Sequence, residues 1–193
     1  MKRHFFAALL AMASLQAVAS ETTTSSPRGG WLLNLDLDFG GDDLATVSFT
    51  DGDSQDVKAG QGIGFGVGGW FYPMVGVPFE LQAAVGYKYV TTAATDADIK
   101  VTRTTMQLTA VYRFENNWYV SGGLARHMSP ELDGDGFFED IEFDDAAGFS
   151  AEVGWKWIGL HYTQLDYSSE LYEDADAGSI GVRFTWQPGL RYR

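Results

Sequence analysis

The sequence predicts an all-β protein: an eight-stranded antiparallel up-and-down transmembrane β-barrel, preceded by a cleaved signal peptide. Three observations predict it. Apolar and polar residues alternate with period two in eight segments between Trp31 and Trp186. The connections between these segments alternate long and short. Aromatic side chains gather at the short-connection ends, where a membrane–water interface selects them.

The clearest pair of segments is the hairpin from Thr104 to Leu124. Met106, Leu108, Ala110, Tyr112 and Phe114 alternate with Thr105, Gln107, Thr109, Val111 and Arg113. Glu115-Asn116-Asn117 is short and built from turn formers, so Trp118, Val120, Gly122 and Leu124 return antiparallel beside them. The first strand, Trp31–Phe39, puts Trp31, Leu33, Leu35, Leu37 and Phe39 on one face. The second, about Gly62–Tyr72, sets Ile63, Phe65 and Val67 against glycines, and the third is Phe79–Tyr89. The sixth is about Ala147–Trp157, the seventh starts at Leu160, and the eighth is about Ser179–Trp186. In the seventh, Leu165 and Tyr167 have the opposite parity to Leu160 and Tyr162, which predicts a bulge near Gln164.

Long connections fall near residues 40–61, 90–99, 128–146 and 168–178. Short ones fall at Pro73–Pro78, Glu115–Asn117 and Ile158–Gly159. Both chain ends then lie on the short-turn side, and closure removes the edges that lipid does not tolerate. The first long connection reads as a ribbon folded about Asp51-Gly52, with a bulge at Gly40-Gly41 to keep the apolar faces in phase.

Residues 1–20 have a basic start, a short apolar core and a small-residue end, which describe a signal peptide cut after Ala19 or Ser20. Residues 21–30 read as a linker, 31–187 as the barrel and 188–193 as a tail. The absence of cysteine excludes disulfides and thiolate metal sites. The formal charge is −13, and losing Lys2 and Arg3 with the leader takes the mature chain near −15. That balance argues against nucleic acid as a partner, because phosphate contacts need a basic surface.

Alternation alone does not say which face points outward. A soluble, lipocalin-like barrel would present a charge-dense face to water. Here the second face is Gly, Ser, Thr and Gln with sparse charges: Asp36, Glu80, Lys88, Arg113, Glu152, Lys156 and Arg183. Such a face suits a narrow lumen filled by its own side chains, and charges there must be paired. The expected lumen network is Glu80, Lys88, Arg113, Glu152, Lys156, His161 and Arg183. In it Glu80 pairs with Lys88, Arg113 or Arg183, and His161 lies beside Glu152 or Lys156. Trp31, Phe71, Phe114, Trp118, Trp157 and Trp186 form the expected periplasmic aromatic girdle.

By layout, residues 31–186 resemble the small eight-stranded outer-membrane barrels of Gram-negative bacteria, the OmpA/OmpX/OmpW-like class. The stretch Phe49–Gly62 is also similar to one recurring in uncharacterised members of that class. The resemblance implies a bacterial outer-membrane location. It implies outer-membrane lipid, lipopolysaccharide and the outer-membrane assembly machinery as partners. It also implies a non-enzymatic role in envelope integrity, adhesion or cation binding by acidic loops. The second reading is a small passive pore for small or hydrophobic solutes. Members usually end on Phe or Trp, whereas here Gln187–Arg193 follow Trp186.

Two motifs carry alternative chemistry. Asp133-Gly-Asp-Gly136, with Glu139 and Asp140, is a weak candidate for Ca²⁺ or Mg²⁺, since hard cations take clustered carboxylates. The spacing does not complete an EF-hand, and no resident cofactor is expected. His127-Met128-Ser129 resembles the His-x-Ser of the outer-membrane lipid A deacylases, where His activates Ser and Glu orients His. Glu139 or Glu142 would take the third role. Pro130 stands where that family has Asn, and parity from Leu124 puts His127 and Ser129 on the lumen face rather than toward lipid.

Overall fold

In the computed structural model, residues 28–48, 54–94, 97–136, 139–169 and 175–190 are described. The leader and the Asp51-Gly52 tip lie outside them. The strands in chain order are β1 (Gly29–Phe39), β2 (Asp43–Ser48), β3 (Ser54–Lys58), β4 (Gly62–Phe71), β5 (Phe79–Ala94), β6 (Ala97–Arg113), β7 (Trp118–Asp133), β8 (Ile141–Glu142), β9 (Ala146–Trp155), β10 (Ile158–Gln164), β11 (Asp166–Tyr167), β12 (Ala175–Asp176) and β13 (Ser179–Trp186). Eight of them form the barrel in the order β6-β5-β4-β1-β13-β10-β9-β7, and β7 pairs back to β6 to close it. Every barrel pairing is antiparallel.

Closure decides which face is which. The alternating apolar set points outward: Leu35, Phe65, Leu124, Phe149 and Ile180 are all exposed. On β1 this belt runs from Trp31 to Phe39. Eight rises of about 3.3 Å at a tilt near 40° give roughly 20 Å along the barrel axis, close to the apolar band of outer-membrane barrels. Exposed large apolar side chains all round a barrel are unstable in water and stable in lipid. All six expected girdle residues are exposed. Trp31 and Trp186 meet edge to face at 5.1 Å, and Trp157 stacks on Phe184 at 5.7 Å.

Several boundaries differ from the expectation. β1 begins at Gly29, inside the stretch read as linker. Within the connection expected near residues 90–99, residues 90–94 and 97–99 are strand, because β5 and β6 stay paired up to Ala94 and Ala97. β7 also runs past Met128 to Asp133, with a register shift where Thr102 and Thr104 face Glu131 and Met128. The tight turn before β10 is Lys156-Trp157, with Lys156 at φ 55°, rather than Ile158–Gly159. Gly40 and Gly41, at φ 123° and 86°, turn the chain from β1 into the separate β2–β3 ribbon.

The predicted slip near Gln164 is absent. His161, Thr163, Leu165 and Tyr167 are all buried and continue one inward face. The apolar residues change parity because the environment inside the barrel changes, not because the strand bulges. Above the membrane belt the interior is apolar. Leu44, Val57, Ala59, Val90, Ile99, Val101, Leu132, Phe143, Leu165, Tyr167, Ala175 and Ala177 form one buried cluster there. The outer connections supply much of it and are bonded together: Asp42 N–H donates to Asp176 O at 2.7 Å, and Asp144 N–H to Ser168 O at 2.9 Å. The barrel therefore carries a packed hydrophobic cap over its outer mouth.

Candidate functional site: the capped lumen

The lumen below the cap is filled by side chains that alternate with the lipid-facing set. At the turn end, the fully buried Glu80 accepts from Arg113 Nε at 3.0 Å, Gln82 Nε2 at 2.6 Å and Gln187 Nε2 at 2.5 Å. Arg113 also donates to Gln187 Oε1 at 2.7 Å and lies 5.1 Å over the Tyr119 ring. Trp70 fills the same end, with Nε1 donating to Trp31 O at 3.2 Å. In the middle, Arg183 donates from Nε and Nη2 to the two oxygens of Asp36, at 2.6 and 3.1 Å. It also reaches Glu152 at 3.5 Å, and Tyr119 Oη donates to the same carboxylate. Toward the cap, Lys88 Nζ lies 2.7 Å from Asp38 and donates to Gly60 O at 2.7 Å, while His161 Nε2 lies 2.5 Å from Asp38. Beside them Arg103 Nη2 donates to Gln61 O at 2.6 Å.

Four inward carboxylates (Asp36, Asp38, Glu80 and Glu152) thus face four inward cations (Lys88, Arg103, Arg113 and Arg183). Balanced, hydrogen-bonded charge is what a low-dielectric interior requires. Of the residues expected in the network, Glu80 meets Arg113, Glu152 meets Arg183, and Lys88 and His161 share Asp38. Glu80 takes Arg113 from the three partners open to it, and His161 takes Asp38 rather than Glu152 or Lys156. Lys156 does not join them. It sits in the β9–β10 turn with its ammonium 4.3 Å over the Trp155 ring, because the left-handed turn ends the inward parity before it. Asp38, Arg103, Tyr119, Trp70 and Gln187 were missed as site residues. Asp38 and Arg103 have inward parity, but only closure reveals that β1 brings Asp38 to β5 and β10.

The two alternative motifs do not assemble. His127 is buried, and its Nδ1 is 2.6 Å from Tyr167 Oη. Ser129 is exposed at φ 48°, within the β7 irregularity, rather than on the lumen face. Its backbone N–H donates to Asp145 Oδ1 at 3.0 Å. Glu139 and Glu142 are exposed, and Glu142 stands opposite Glu131. The buried imidazole and the exposed hydroxyl therefore lie on opposite faces, not in the base–nucleophile contact that the motif would use. In the acidic loop, Asp133 accepts from Asp135 N–H at 2.9 Å and Asp140 from Gly134 N–H at 3.0 Å. Among the described residues no group of three or more His, Asp or Glu is placed to hold a metal ion.

On the outer rim, Arg126 and Asp145 pair at 2.8 Å in the open. The Ser129 backbone N–H, and then Arg126, hold the Asp145 carboxyl below the ordinary aspartate range. On the ribbon, the Asp43 carboxylate beside Lys58 raises the lysine above its usual value.

A closed eight-stranded barrel with a lipid-facing belt and a filled lumen defines an outer-membrane β-barrel protein. The chain belongs to the outer membrane protein beta-barrel domain family, which it matches over residues 5–187, and it is a protein of the bacterial outer membrane. No characterised protein matches it in sequence. Among solved structures it is similar to Ail, the attachment invasion locus protein of Yersinia pestis. Identity is 7%, coverage is 82% of this chain and 97% of that one, and the TM-score is 0.45. A second Ail structure, in complex with the heparin analogue sucrose octasulfate, is 10% identical with the same coverage and a TM-score of 0.42.

Proposed function

We propose that this barrel serves the outer membrane as a stable structural element that presents its acidic outer connections for surface interaction, and that it does not conduct solutes. One observation carries this reading: the lumen is closed twice. Paired charges fill it from Glu80 up to Lys88, and a hydrophobic cluster covers its outer mouth. A diffusion pore needs a continuous wet path, and small barrels whose interiors are packed with side chains lack one. The acidic outer connections suit contact with lipopolysaccharide through divalent cations, or with a cationic surface on another cell. Assembly would proceed through the outer-membrane assembly machinery. Planar-bilayer recording of the purified barrel tests the reading. The expected record is flat, and reproducible unitary steps would overturn it in favour of a pore. Catalysis is tested separately by mass spectrometry of lipid A from cells with and without the protein. Identical acylation is expected, and loss of an acyl chain dependent on His127 would restore the hydrolase reading.

A further inference from the structure

One sector of the lipid-facing belt is concave. The outside of a barrel curves away from its axis, so a hollow there has to come from side chains of unequal size. Across one level of the sheet Phe65 on β4 pairs with Leu35 on β1, and Leu35 pairs with Phe184 on β13. Phe65 is well exposed and forms one wall. Trp157 lies stacked on Phe184, with 26° between the ring planes, and forms the other. Leu33 and Leu35 make the floor, and Trp186, held edge to face against Trp31, stands at the turn-side end. The groove so formed has a volume of about 400 Å³ and an apolar lining. That is the size of a small-molecule site, roughly 300–1,000 Å³, and ring contacts hold its aromatic walls in place before any ligand arrives.

The position of the groove sets the kind of occupant. The belt of an outer-membrane barrel touches lipid hydrocarbon, and the Trp157–Trp186 end of the groove lies in the periplasmic aromatic girdle. The indole N–H groups of Trp157 and Trp186 donate to no protein acceptor among the described residues, whereas Trp70, inside the barrel, donates to Trp31 O. An indole N–H at the boundary between apolar and polar surroundings calls for an acceptor, and the ester carbonyls and phosphate of a phospholipid supply one. The charge on the adjacent rim has one sign. Arg28 is exposed just before β1, and Lys156 precedes Trp157 with its ammonium over the Trp155 ring. Glu115, the acid of the short turns, lies between β6 and β7, across the barrel from β1 and β13. We propose that the groove holds one anionic phospholipid of the periplasmic leaflet. Its chains begin against Leu33, Leu35 and Phe184, and its phosphate sits at the level of Lys156. The site rests on the membrane placement of the barrel and adds to it a particular lipid class at a particular sector.

The test is native mass spectrometry of the whole purified barrel, refolded in vesicles of equal parts phosphatidylglycerol and phosphatidylcholine and then transferred to detergent. The expected spectrum shows a monomer retaining one phosphatidylglycerol, favoured about fivefold over phosphatidylcholine, the contribution of one interfacial lysine. Leu35→Trp fills the groove from an outward position and loses the retained lipid. Leu108→Trp, also outward but on β6, keeps it. Lys156→Gln keeps a lipid and brings the preference toward unity. Heat-dependent gel mobility of each sample reports barrel formation separately, so a folded wild-type barrel that carries no lipid overturns the site and leaves the membrane placement intact. Equal retention of the two lipids by the wild type, undiminished retention in Leu35→Trp, or an unchanged preference in Lys156→Gln also overturns it. A dimer in place of the lipid adduct, dissociated by Leu35→Trp, would assign the groove to a second copy of the chain instead.

Discussion

Replacing Arg183 with leucine is the sharpest test of the closed lumen. Arg183 bridges Asp36, at 2.6 and 3.1 Å, and Glu152 at 3.5 Å, with its side chain only 6% exposed. Leucine removes the cation and leaves two largely buried carboxylates facing each other. Breaking a buried pair by removing one partner costs about 3–5 kcal/mol, because the surviving charge is uncompensated. Two carboxylates survive here, so the upper end applies, or a fall of roughly three and a half decades in the folding equilibrium at about 1.4 kcal/mol per decade. The assay is reversible urea unfolding in lipid vesicles, followed by tryptophan fluorescence and by heat-dependent gel mobility. Adding Asp36→Leu and Glu152→Gln to Arg183→Leu should recover most of the loss, since replacing a whole buried ion cluster with neutral groups is often nearly neutral. A single Arg183→Leu variant within about 1 kcal/mol of wild type would refute the reasoning, because only a wet lumen could solvate the stranded carboxylates.

Other outcomes follow from the same geometry. In single-tryptophan variants, brominated lipid should quench Trp31, Trp118, Trp155, Trp157 and Trp186, which face outward, and spare Trp70, which is 2% exposed; quenching of Trp70 would contradict the assigned faces. Leu132→Ala in the cap should cost roughly 2–5 kcal/mol by leaving a cavity, measured by the same urea unfolding. Gly123→Val should block folding, because even a Cβ there would sit 2.1 Å from Leu108 O on the neighbouring strand; recovery of a heat-modifiable band would disprove the close packing. On the rim, NMR titration should place Asp145 below free aspartate. Its contribution to stability is then present at neutral pH and is lost only as pH falls through that lowered value. Arg126→Gln should raise the Asp145 titration only in part, since the Ser129 N–H is the larger cause.

The amino-acid sequence by itself determined the eight barrel segments, their antiparallel order and the lipid-facing set. These follow from a period-two pattern that any closed sheet must present as two faces, and from connections that alternate in length. It also placed Glu80, Lys88, Arg113, Glu152, His161 and Arg183 on the inward face, because parity survives folding unless a bulge or turn intervenes. Where one does intervene, parity misled: Ser129 lies in an irregularity of β7, and Lys156 lies in a left-handed turn. Only the tertiary structure decided who meets whom. Asp38 and His161 are 123 residues apart in number, and curvature brings their strands to the same level of one lumen. It also decided that the outer connections fold into a cap. Val57, Val101, Leu132 and the Leu165–Tyr167 pair come from four distant stretches of the chain, and none is apolar enough alone to announce a core. Their burial depends on closure, which turns scattered apolar residues into neighbours and makes the inside of the outer half more apolar than the half that crosses the membrane.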